Sequence, residues 1–286
     1  MKNSLSELYG FNQQISYQHA FTYIRQLAIN LRNAITTKTP ETTRIVYCWQ
    51  YFHSLDFFSR MLSQHVGSNK SSPLEPLVYP VIQIALGAIK LNPSSQYFPL
   101  RFHLVTALLR LSKHTGVYIP LAPSLLEPLE SALLRSTFSK KTSSSAGGDK
   151  ILKPIEFEYT LRVSSSYLSG PSGKLYRDQV GLKLVELLGQ FFDLYTLSPA
   201  FPELIVPCVV VMKKWLKRYG GECGPKVRHG LNGLVERLEE QGKWVEDGRK
   251  GLTFDPEKLA EMQIERNVDD APLRKWVKRH QGMSSL

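Results

Sequence analysis

Apolar residues in this sequence recur every three or four positions, in segment after segment. Between Ile15 and Ile35 they fall at Tyr17, Ala20, Phe21, Ile24, Leu27, Ala28, Leu31 and Ala34, the repeat of one face of a long amphipathic helix. A second such run starts near Thr43, passes Ile45, Trp49, Phe52, Leu55, Phe58, Met61 and Leu62, and ends near Gly67. Three more segments each open near a proline, Pro76, Pro99 and Pro123, at spacings of 23 and 24 residues. Proline suits a first helical turn because the amide hydrogen it lacks has no partner there in any case. Two such helices make a unit at the upper edge of the roughly 40 to 47 residues of HEAT and armadillo repeats. The repeat is one of spacing and not of residue identity.

Periodicity returns at Tyr176, Val180, Leu184, Leu187, Leu188, Phe191 and Phe192, then over Phe201 to Tyr219, where Pro207 is expected to kink the helix. A further run carries Val227, Leu231, Leu234, Val235 and Leu238. Between these blocks, Ile155, Phe157, Tyr159, Leu161 and Val163 alternate with polar residues, the period of an extended segment. With no second run to pair with, it is expected to lie along helices. Helix pairs joined by short turns, without alternation of strands and helices, build no sheet domain. The expected fold is therefore all-α, an α-solenoid of HEAT/armadillo-like helix pairs with one extended segment. Residues 1–136 form an N-terminal helical half and 154–250 a C-terminal one. Residues 137–153, rich in Ser, Gly and Lys, read as a flexible loop between them, and residues 251–286 as a charged tail outside the core.

The chain carries 36 Lys and Arg against 25 Asp and Glu, a formal charge of +11 over 286 residues. The excess is concentrated. Lys213, Lys214, Lys217, Arg218, Lys226 and Arg228 stand against the single acid Glu222 between residues 212 and 229, interleaved with Trp215 and Tyr219. Arg274, Lys275, Lys278 and Arg279 surround Trp276. Lys213 with Lys217, and Lys214 with Arg218, are like charges one helical turn apart, a repulsion that an anionic partner relieves. Two readings stand side by side: contact with nucleic-acid phosphates, or a solvated helix end whose cations favour the C-terminal dipole. The cluster at 274–279 also fits part of a nuclear localisation signal.

Motifs for chemistry are absent. Gly170, Ser172, Gly173 and Lys174 lack both the spacing of a phosphate loop and the order of a nucleophile elbow, and read as a turn before a helix. The seven histidines form no HExxH and no pair at ligand spacing, and Cys48, Cys208 and Cys223 form no CxxC, so neither a metal site nor a disulfide framework is expected. The three cysteines favour a reducing compartment. The longest apolar runs, Val78–Ile89 and Leu204–Met212, fall short of a membrane span. No catalytic residue, cofactor or small-molecule substrate is expected.

Four stretches together resemble the nucleolar complex protein 2 family. They are SELYGFNQQISYQHAFTYIRQLAINLRNAI from Ser6, VYPVIQIALGAIKLNPSSQYFPLRFHLVTALLRLSKHTGVYIPLAP from Val78, KPIEFEYTLRVSSSYL from Lys153, and SPAFPELIVPCVVVMKKWLK from Ser198. The resemblance implies a non-enzymatic helical-repeat assembly factor of the large (60S) ribosomal subunit. It further implies action in the nucleolus and nucleus, as a heterodimer with another nucleolar complex helical-repeat protein on pre-60S particles with their pre-rRNA. Members of that family also carry a long, charged N-terminal half ahead of the matching region. The residues leave a second reading open, a helical-repeat RNA-binding or nuclear transport adaptor acting mainly through its basic patches.

Overall fold

In the computed structural model, residues 2–67, 72–135, 153–250 and 268–284 are described. Among them every regular element is a helix. The chain divides into two compact units, one of residues 1–120 with 155–165, the other of 121–154 with 166–286. The Ser/Gly/Lys loop expected over 137–153 lies outside the described residues except for Lys153, as do residues 251–267 of the expected tail.

The first unit holds α1 (Lys2–Phe11), α2 (Gln13–Thr37), α3 (Pro40–Val46), α4 (Trp49–His65), α5 (Val78–Leu91) and α6 (Phe98–Thr115). At the start of α2 the Asn12 carboxamide accepts from the Ile15 amide at 3.2 Å, and its other end closes with Lys38 in the left-handed region. Asn12→Ala is expected to lower stability by about 1 kcal/mol, read as a fall in thermal midpoint with the helical signal of the folded protein unchanged. The single helix expected from Thr43 to Gly67 is broken at Tyr47 and Cys48. Thr39 caps α3 ahead of Pro40, and Cys48 turns to an extended conformation before α4. The bend is pinned by Tyr47, whose hydroxyl donates to the Ala88 carbonyl of α5 at 3.0 Å.

Helices α4 and α6 pack against each other, and Leu55, Met61 and Leu62 of the first and Leu104, Val105 and Leu108 of the second are all buried. Pro76 falls in the 3-10 turn Glu75–Leu77 that leads into α5, and Pro99 in the first turn of α6. The segment expected to be extended lies on α6 without forming a strand. Val163 donates its amide to the Gln96 carbonyl at 2.9 Å, His103 bonds the Thr160 carbonyl at 3.2 Å, and Ile155, Leu161 and Val163 are buried. Phe157–Tyr159 wind into one 3-10 turn, which breaks the alternation and leaves Tyr159 exposed.

The second unit holds α7 (Ala122–Glu130), α8 (Ala132–Arg135), α9 (Gly170–Asp193), α10 (Phe201–Tyr219), α11 (Pro225–Arg249) and α12 (Pro272–Ser284). Helix α11 packs against α9 and α10, and α7 also touches both. The seven periodic residues of α9 and the five of α11 are all buried. Phe192 meets Phe201 edge to face across the turn from α9 to α10. Helix α10 runs unbroken through Pro207. The proline sits on its exposed side, with Glu203, where water can satisfy the Glu203 carbonyl that proline leaves without a donor.

The largest departure from the sequence reading is α12. Instead of trailing in solvent, it lies along α9 and α11 and buries Ala271, Leu273 and Val277. Trp276 rests where α9 and α11 each present a glycine. A β-carbon on Gly189 would stand 3.2 Å from its ring, and one on Gly233 3.5 Å from its indole nitrogen. Gln241, itself fully buried, donates to the Thr196 carbonyl and accepts from the Leu273 amide. Arg274 and Lys275 stand between Leu273 and Trp276, and Lys278 and Arg279 follow Val277.

Candidate nucleic-acid interface

The last turns of α10 carry Met212 and Trp215 inward, and the same 3.6-residue repeat turns Lys213, Lys214, Lys217 and Arg218 outward, where all four are exposed. The chain then reverses through Gly220–Gly224. Arg177 of α9 donates to the Glu222 carbonyl at 2.6 Å and Asp178 accepts from the Gly224 amide at 3.0 Å, so α9 fixes the reversal. Lys226 and Arg228, in the first turn of α11, flank the buried Val227 and are exposed as well. One corner of the second unit thus gathers all six cations of the first cluster.

Their pairing differs. Lys213 is held by Glu239 at 2.5 Å. Lys214, Lys217, Arg218, Lys226 and Arg228 have no ion pair among the described residues. On α12 the balance is reversed. Arg274 reaches Asp193 at 3.8 Å, Lys275 reaches Asp270 at 3.6 Å and Lys278 reaches Asp269 at 2.8 Å. Arg279 alone of those four has no such partner among the described residues. Burial has little part in the Asp269 environment: the hydrogen bond and charge of Lys278 hold its carboxyl below the usual range.

The interleaved aromatics turn inward. Trp215 is 5% exposed, Tyr219 leans on it with ring centroids 6.2 Å apart, and Trp276 faces the two glycines of α9 and α11. Tyr219 and Trp276 are half-buried, so none of the three is a fully exposed ring of the kind on which a base stacks.

Neither Cys208 nor Cys223 is activated as a nucleophile. Burial pushes the Cys208 thiol up to about 11, and burial with the neighbouring Asp178 raises that of Cys223, so both stay protonated near neutrality. Among the described residues no group of His, Cys, Asp and Glu side chains converges in a way that could hold a metal ion, and no helix is long and apolar enough to cross a membrane. Gly170–Leu175 lie in the first two turns of α9.

The sequence reading placed Ile15, Phe21 and Ile35 on the packed face of α2, but they are about half exposed. Only Ser16, Ala20, Ile24, Leu27, Leu31 and Ala34 are buried in that helix. The signal was present for two of them: Ile15 and Phe21 are out of phase with the Ala20–Ala34 series, whereas Ile35 follows Leu31 by one turn and is exposed in the last turn of the helix. Together with Leu5, Leu8 and Phe11 of α1, at 45%, 60% and 86% exposure, they leave the first unit with a large share of open apolar surface.

Comparison with known proteins gives a consistent set of matches. The profile of the Noc2p family matches residues 1–280. An uncharacterized NOC2 family protein of Schizosaccharomyces pombe is 43% identical over 260 residues, covering 90% of this chain and 35% of that protein. Nucleolar complex protein 2 of Drosophila melanogaster is 34% identical over 292 residues, covering 98% of this chain and 36% of its own length. Nucleolar complex-associated protein 2 of Arabidopsis thaliana is 29% identical over 278 residues, 96% of this chain and 34% of that one. The chain spans about a third of the length of these curated relatives.

Proposed function

The chain belongs to the Noc2p family, and from that premise we propose that it is a non-catalytic scaffold in the biogenesis of the large (60S) ribosomal subunit. It works in the nucleolus and nucleus, as the names of its relatives suggest. Its HEAT/armadillo-like helix pairs dock a second nucleolar complex helical-repeat protein, and its basic surface touches the pre-rRNA of the pre-60S particle. The observation that carries this reading is the open apolar surface of α1 and α2, where Leu8, Phe11, Ile15 and Tyr23 are each more than half exposed. A surface of this kind favours burial against another protein.

The test is a pull-down of the tagged chain from nuclear extract, washed in low and high salt, with and without RNase. A helical-repeat nucleolar protein is expected to survive both treatments, because apolar docking is insensitive to salt whereas phosphate contacts are not. Charge reversal of Lys213, Lys214, Lys217 and Arg218 should leave that partner bound. Loss of every co-purifying protein with salt or RNase would favour instead an RNA-binding or nuclear transport adaptor acting through the basic patches, a reading supported by the five cations that have no ion pair among the described residues.

A further inference from the structure

The two units differ in what they expose. Among the described residues, every aromatic side chain that is more than a third exposed belongs to the first unit, from Phe11 at the end of α1 to Tyr159 in the 3-10 turn on α6. In the second unit no described aromatic reaches that level. The corner formed by the end of α10 and the start of α11 therefore offers charge without ring faces.

That combination selects among nucleic acids. Proteins that hold single strands join a cationic groove to aromatic side chains on which successive bases stack, and the stacking supplies a large part of their affinity. Trp215 and Tyr219 would have been the stacking residues of this corner, but Trp215 is buried and Tyr219 is half-buried with its ring against Trp215. What remains is a set of cations, five of the six without an ion pair among the described residues, a surface suited to phosphates and their sugars. A double helix keeps its bases inside and carries two strands of phosphate, at a higher charge density than a single strand, so a lysine- and arginine-only surface gains more from it.

Building on the RNA contact proposed above, we infer that the α10–α11 corner binds the backbone of double-helical RNA, through Lys214, Lys217, Arg218, Lys226 and Arg228 with Lys213 released from Glu239 to join them. The contact follows helical shape and not base sequence. The acids beside it include Glu239, paired with Lys213, and the exposed Glu222 in the reversal between Arg218 and Lys226.

The experiment compares binding of the full chain to a short RNA duplex and to either of its strands alone, over a series of salt concentrations. The duplex is expected to bind more tightly than either strand, with a log–log salt slope near −5, from about 0.9 per cation over six cations. Lys214→Gln, Lys217→Gln and Arg218→Gln in one protein should reduce the slope by about three, with an unchanged thermal midpoint showing that the fold is intact. Lys278→Gln, which removes a cation already paired with Asp269, should change the slope by less than one. Equal or tighter binding of the single strand through the same residues would overturn the duplex assignment and leave the RNA contact standing. If neither RNA binds while the protein partner is retained, the RNA contact falls and the duplex assignment with it.

Discussion

Leu273→Ala is expected to destabilise the second unit by about 3 kcal/mol, within the range for large-to-small changes at buried leucines. Leu273 is fully buried and sits at the N-terminal end of α12, where its amide donates to the buried Gln241. Truncation would remove an apolar anchor and open a cavity against α9 and α11 in the same step. Urea unfolding reads the effect as a lower midpoint at unchanged slope, since the surface exposed on unfolding stays nearly the same. A cost under about 1 kcal/mol, the size typical of surface changes or smaller core adjustments, would mean that α12 contributes little to the folded unit. Val277→Ala gives an independent reading at the next turn and should cost less, because valine loses fewer carbons.

The second large effect lies in the first unit. Asp56 is 8% exposed; it accepts from Lys2 of α1 at 2.7 Å and from Arg110 of α6 at 2.5 Å. One carboxylate thus ties three helices. Asp56→Ala leaves two cations facing each other across the gap. Lys2 and Arg110 retain 37% and 25% side-chain exposure, so water relieves part of the penalty. The expected cost is about 2–3 kcal/mol, below the 3–5 of a fully buried pair.

The pH dependence of that site has a definite sign. Burial by itself raises the Asp56 carboxyl, but hydrogen bonds from Lys2 and Arg110, with their charges, outweigh it and hold the group below its ordinary value. A carboxyl depressed in the folded state stabilises fully above its unfolded value, about 3.9, and loses that contribution as pH falls through the lower folded value. Asp56→Asn should therefore flatten the acid limb of the stability profile below about pH 4. An acid limb unchanged by the substitution would show that the tie contributes nothing.

Periodicity made the helices legible, because it reports burial directly. The interior residues of α9 and α11 follow from spacing alone, and the prolines near the starts of α5, α6 and α7 mark helix beginnings for a local steric reason. Where outcome depends on contacts distant in sequence, spacing was insufficient. The bend at Tyr47 is pinned by Ala88, and α12 is retained by Gly189, Gly233 and Gln241, each tens of residues away. The basic corner was visible as composition, but pairing was not. Glu239 and Lys213 lie 26 residues apart, and only the packing of α10 on α11 brings them together. Trp215 shows the same limit: it was legible as an aromatic interleaved with lysines, while its phase with Cys208 and Met212 already pointed inward.

The way the first unit is stitched together also bears on how the protein is made. Its six helices are complete by Thr115, yet the segment that covers α6 comes from residues 155–165, after α7 and α8 have been synthesised. During translation, domains tend to fold from the N-terminus as they emerge. Here His103 and Gln96 must wait 57 and 67 residues for Thr160 and Val163 to leave the exit tunnel. A nascent chain stalled within that interval holds an uncovered α6, and one released just beyond it does not. No single cleavage yields the first unit whole, because any cut between residues 120 and 155 leaves its last piece on the other fragment.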